Sequence, residues 1–76
     1  MNIVEVRNYL SDLIGHITFD YNKCSCGVDP LSIDSFDMWY GDNEITVNSI
    51  DEVFTTRFFD GRCLEDIWND IDNLDF

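Results

Sequence analysis

Ser35-Phe36-Asp37-Met38-Trp39-Tyr40-Gly41-Asp42-Asn43-Glu44-Ile45-Thr46-Val47-Asn48 is the stretch on which the fold turns. From Ser35 to Tyr40, Phe36, Met38 and Tyr40 alternate with Asp37 and Trp39, the period of two that a strand imposes on its side chains. Gly41-Asp42-Asn43 then reads as a hairpin turn. Glu44 to Asn48 alternates again, with Ile45 and Val47 on the inner side and Glu44, Thr46 and Asn48 on the outer. Upstream, His16-Ile17-Thr18-Phe19-Asp20-Tyr21 repeats the pattern and supplies a third strand. Between them, residues 22–34 carry Asn, Gly, Ser and Asp-Pro and read as a long loop around Cys24-Ser25-Cys26-Gly27.

The flanks read as helices. Asn2 with Glu5 forms a capping box, Ile3, Val6, Leu10, Leu13 and Ile14 follow at helical spacing, and Gly15 supplies the stop. Ser49 with Glu52 starts a second, short helix through Ile50, Val53, Phe54 and Phe58, and Asp60-Gly61 breaks the chain. Leu64, Ile67, Trp68, Ile71 and Leu74 then form the apolar stripe of a C-terminal helix. The expected architecture is α+β in the order α-β-β-β-α-α: a three-stranded antiparallel sheet with all helices packed on one face, in a single domain spanning 1–76.

Sixteen Asp and Glu against four Lys and Arg give a formal charge of −12 over 76 residues. Arg7, Lys23, Arg57 and Arg62 cannot assemble the cationic face needed to hold nucleic acid or an anionic bilayer, so direct contact with either is excluded and the expected partner is basic. A hydrophobic content of 45% is too apolar for a disordered acidic tail. No run approaches the roughly 18 apolar residues of a membrane span, no secretory leader is visible, and three cysteines in an odd set suit a reducing, cytoplasmic setting.

Specific chemistry is scarce. Cys24, Cys26, Cys63 and His16 are an acceptable zinc set only if distant segments converge, and the plain alternative is small buried thiols with a surface histidine, so no metal is assigned. Asp20-Tyr21-Asn22 opens like a calcium loop, but Ser25 stands where glycine is required and Leu31 where glutamate is required. One histidine without a nucleophile beside it and no glycine-rich phosphate loop leave nothing for catalysis. The expectation is a non-enzyme with no cofactor.

Charge and surface carry the functional reading. The polar face of the expected C-terminal helix holds Glu65, Asp66, Asp70 and Asp72, with Asp75 beyond. Asp70, Asp72 and Asp75 fall toward the end of that helix, where cations are preferred, and Asp66 and Asp70 repel at i,i+4 spacing, so the negative charge costs stability. Read as helix, residues 65–75 place one carboxylate per about 3 Å of axis, near the phosphate spacing of a DNA strand. On the sheet, Trp39 is ringed by Asp20, Asp37 and Glu44: either an exposed anchor with charges ready for Lys and Arg, or an indole covered by the loop around Cys24.

In length, charge, helix-sheet-helix order and the acidic run from Glu65-Asp66 to Asp70-Asp72, the chain resembles the small acidic phage-encoded inhibitors that act as DNA mimics, including anti-CRISPR proteins. That resemblance implies a protein-binding inhibitor whose carboxylates replace phosphates in the cationic cleft of a nucleic-acid-processing enzyme, such as a CRISPR effector or another defence nuclease. No motif aligns residue by residue, so the expected contacts come from the charge and surface reading alone: Asp20, Asp37, Trp39, Glu44, Glu65, Asp66, Asp70 and Asp72. The alternative is an intracellular adaptor or housekeeping interaction domain whose acidity serves solubility and whose aromatics bury a homodimer or heteromeric contact.

Overall fold

The computed structural model describes residues 1–76. Helix α1 (Ile3–Ser11) opens the chain, followed by β1 (Ile17–Tyr21), β2 (Cys24–Ser32), β3 (Ser35–Tyr40), β4 (Asn43–Val47), α2 (Ile50–Thr55), α3 (Leu64–Ile67), a 3-10 turn at Trp68–Asp70 and β5 (Asp72–Asp75). The strands form one antiparallel sheet in the order β4-β3-β2-β1-β5. The class is α+β, but the sheet has five strands where the sequence indicated three.

Local chemistry sets the ends of the elements. In α1 the Asn2 side chain accepts from the Glu5 N–H and the Glu5 carboxylate accepts from the Asn2 N–H, the expected reciprocal cap. The helix stops at Ser11 rather than at Gly15. Leu13 takes a left-handed conformation (φ 55°), so that its N–H reaches the Leu10 carbonyl and that of Ile14 reaches Tyr9, a Schellman closure made without glycine. For α2, the Ser49 hydroxyl accepts from Glu52 N–H, whereas the Glu52 carboxylate reaches back one residue further, to Asn48.

The segment read as a long loop is instead the nine-residue central strand β2. Asn22 and Lys23 both adopt positive φ (53° and 63°) and close a two-residue hairpin, with Tyr21 directly opposite Cys24. From there Cys26 and Val28 point into the core. Pro30 lies beyond the last β1 pairing at Val28, where a missing N–H costs least.

The expected C-terminal helix ends after four residues. Its apolar stripe still faces inward, Leu64 and Ile67 buried and Trp68, Ile71 and Leu74 packed against the core, but Asp72–Asp75 run as an edge strand along β1. Two effects favour this outcome: Asp is a weak helix former with no basic residue here to offset the helix dipole, and β1 otherwise has an unpaired edge. Residues 65–75 therefore do not form a single helical charged face, and the axial match to phosphate spacing does not exist.

All three helices bury their apolar sides against one face of the sheet. Val6 and Leu10 from α1, Val53 and Phe54 from α2, and Leu64 and Ile67 from α3 meet Ile17, Phe19, Cys26, Val28, Phe36, Met38 and Val47. Phe59 completes the cluster, held on a reverse turn in which Asp60 and Gly61 have positive φ and Phe59 and Arg62 exchange backbone hydrogen bonds. No polar or charged residue is buried.

Candidate protein-binding face

The opposite face of the sheet carries no helix, and its composition is one-sided. None of the five strands contains Lys or Arg, while they hold Asp20, Asp29, Asp37, Glu44, Asp72 and Asp75. Strand alternation and register put all six on the outer side. One row crosses the whole sheet as Glu44, Trp39, Gly27, Thr18 and Asp75. A second row sets Thr46, Asp37 and Asp29 side by side, and a third sets Ser25, Asp20 and Asp72.

Trp39 is the centre of this arrangement. Its indole lies across β2 over Gly27, so close that a Cβ built on Gly27 would stand 2.6 Å from both Cε2 and Cη2. Glycine is required there because only a residue without a side chain lets the ring lie flat on the strand. Gly27 is buried beneath the ring, and Trp39 itself is half-buried. The segment around Cys24 thus passes beside and beneath the indole as a strand and does not fold over it as a loop.

Two of the six carboxylates are held by hydrogen bonds, and none is paired with a cation. Asp37 accepts from the Thr46 hydroxyl at 2.6 Å and Asp20 from the Asn73 side-chain amide at 2.8 Å. The molecule's single ion pair, Arg7 with Asp51, lies on the helical side. Asp29 opposes Asp37 directly, and Asp20 opposes Asp72; like charges at such cross-strand positions destabilise a sheet by a few tenths of a kcal/mol to about 1 kcal/mol. The fold therefore tolerates an electrostatic cost at this face. Raising sodium chloride from about 20 mM to about 500 mM shortens the screening length to about 4 Å, so the urea midpoint followed by circular dichroism is expected to increase. An unchanged midpoint would show that the acidic pairs exert no strain.

The sheet face gathers Asp20, Asp37, Trp39, Glu44 and Asp72 from the expected contact set, and adds Asp29 and Asp75. Alternation of Cys26 and Val28 inward around Gly27 and Asp29 bears on the first of these, but Gly27 and Pro30 mask it; Asp75 depends on the pairing of β5 with β1, which no local pattern shows. Glu65, Asp66 and Asp70 lie apart, in the helical layer and its 3-10 extension. Glu65 borders a groove of about 180 Å³ with Ile3, Val4, Arg7 and Phe54. Asp66 serves α3: hydrogen bonds from the Cys63 thiol and then from its backbone N–H hold the carboxyl below its ordinary range. Because the folded value is depressed, this contribution to stability is present above the ordinary carboxylate range and is lost as pH falls through the lowered pKa.

The cysteines are free, and burial, followed by the neighbouring Cys24, pushes the Cys26 thiol up to about 11. A thiol so reluctant to ionise is a poor nucleophile and a poor metal ligand. No three His, Cys, Asp or Glu side chains come together as a metal-binding group. A shallow polar depression bounded by Asp20, Asn22, Lys23, Ser25, Asp72 and Asn73 marks the rim of the acidic face. Comparison with known proteins found no matching family model, curated protein or solved structure.

Proposed function

We propose that this chain is a protein-binding inhibitor whose open sheet face occupies a cationic, nucleic-acid-binding cleft, such as that of a CRISPR effector or another defence nuclease. The observation that carries the reading is the face itself: six carboxylates, no cation on any strand, and a half-buried indole at the centre. An aromatic anchor surrounded by charge of one sign suits a partner that presents Lys and Arg around an apolar or stacking surface. The carboxylates take the role of phosphates, accelerating encounter by long-range attraction, and Trp39 supplies desolvated contact. Rigidity supports the mimicry, because paired strands fix the charges before the partner arrives.

The test is binding to purified nucleic-acid-processing enzymes across a salt series, with loss of nucleic-acid binding as the second readout. Affinity is expected to fall steadily with rising salt, and the double reversal Asp29→Lys/Asp37→Lys to weaken binding about 100-fold. That variant exchanges one like-charged cross-strand pair for another and gives up the Thr46 hydroxyl's bond to Asp37, so the circular dichroism spectrum and urea midpoint are measured beside the binding to establish that the fold is kept. Affinity indifferent to salt, or a double reversal that binds as well as the wild type, would overturn the reading.

A further inference from the structure

The end of the sheet where β1 begins and β2 finishes exposes large apolar side chains that the core does not use. Ile33 is 74% exposed, Ile14 65%, Leu31 57% and Leu13 40%. Leu31 lies where the β2–β3 register shifts, between Pro30 opposite Phe36 and Ser32 opposite Ser35. Such a bulge re-aims a side chain out of the ladder. Ile33 follows in a hairpin turn that turn chemistry would ordinarily give to Gly, Asn or Asp. The Ser32 hydroxyl donates to Asp34 at 2.7 Å across this turn, so the tip is ordered by its own hydrogen bond. Leu13 and Ile14, in the connection from α1 to β1, reach the same end because β1 and β2 are antiparallel.

Acidic side chains border this end: Asp12 beside Leu13, Asp29 two residues before Leu31, and Asp34 next to Ile33. A second copy of the chain is a poor occupant, since it would bring two charges of −12 together across an interface edged with carboxylates. Charge complementarity favours a basic protein surface with an apolar recess. We propose that the β2–β3 tip is a second contact element, resting on the sheet-face reading, in which Leu31 and Ile33 enter an apolar pocket at the rim of the cationic cleft that the acidic face occupies. The face would supply salt-dependent attraction and the tip a salt-independent grip on the same partner.

Two peptides separate these parts: an oligolysine of about ten residues, and the same oligolysine extended by Leu-Phe-Leu, each titrated against the full chain by fluorescence anisotropy. The extended peptide is expected to bind about tenfold more tightly, and Leu31→Ser/Ile33→Ser to abolish that advantage while leaving oligolysine binding unchanged. Both substituted positions are exposed, so circular dichroism should match the wild type. Equal affinity for the two peptides, or an advantage that persists in the double variant, would overturn the tip proposal. Oligolysine binding unaffected by Asp29→Lys/Asp37→Lys, together with a tip-dependent advantage, would instead sink the sheet-face reading and leave the tip as a contact element.

Discussion

Phe59→Ala is expected to cost about 3–5 kcal/mol, the range for removing a fully buried aromatic side chain. Phe59 is completely inaccessible to solvent, and its ring centroid lies 5.8 Å from Phe19, 6.0 Å from Tyr40 and 5.3 Å from Phe58. It joins the helical layer to the inner faces of two strands, so truncation leaves a void that no single neighbour can fill. A domain of this size sits at the low end of natural stabilities, about 5 kcal/mol. The variant should consequently be largely unfolded near 37 °C, visible as a collapsed thermal transition in far-ultraviolet circular dichroism. A loss below about 1 kcal/mol would mean that Phe59 does not occupy the described core.

Gly27→Ala tests the sheet face with one methyl group. The new Cβ would overlap the indole of Trp39, forcing the ring off β2 or the strands apart, and a cost of about 1–3 kcal/mol is expected. The ring is at the surface and can swing outward, so the fold should survive. In a Trp68→Phe background, where Trp39 is the remaining tryptophan, its fluorescence should shift to the red as the ring becomes wetter. Gly27→Ala combined with Trp39→Ala should cost clearly less than the sum of the two single changes, because removing the indole removes the overlap. Additive costs would show that the ring and the glycine do not meet.

The hairpin at 35–47 was legible because alternation, a glycine turn and charge agree there, and Gly41 does take the positive φ (59°) that its turn requires. β2 was hidden by its own punctuation. Asn22-Lys23 forms a tight turn without the expected glycine, while the true glycine, Gly27, lies mid-strand for the sake of Trp39. The C-terminus was misread because Leu64, Ile67, Trp68, Ile71 and Leu74 fit a helical stripe equally well as a short helix, a 3-10 turn and an inward-facing strand residue. Only the unpaired edge of β1, a tertiary fact, decides between them. On the candidate face, Asp20, Asp37, Trp39 and Glu44 followed from strand alternation alone; Asp29 and Asp75 depended on strands that local patterning did not disclose.

β4 and β5 end the sheet with backbone donors and acceptors unmatched on their outer sides, and each carries carboxylates, Glu44 on one and Asp72 and Asp75 on the other. Open borders of this kind invite lateral zippering between molecules, and fixed anions of one sign oppose it. The acidity of the molecule therefore also acts as a colloidal barrier, keeping neighbouring copies from fusing into an endless ribbon.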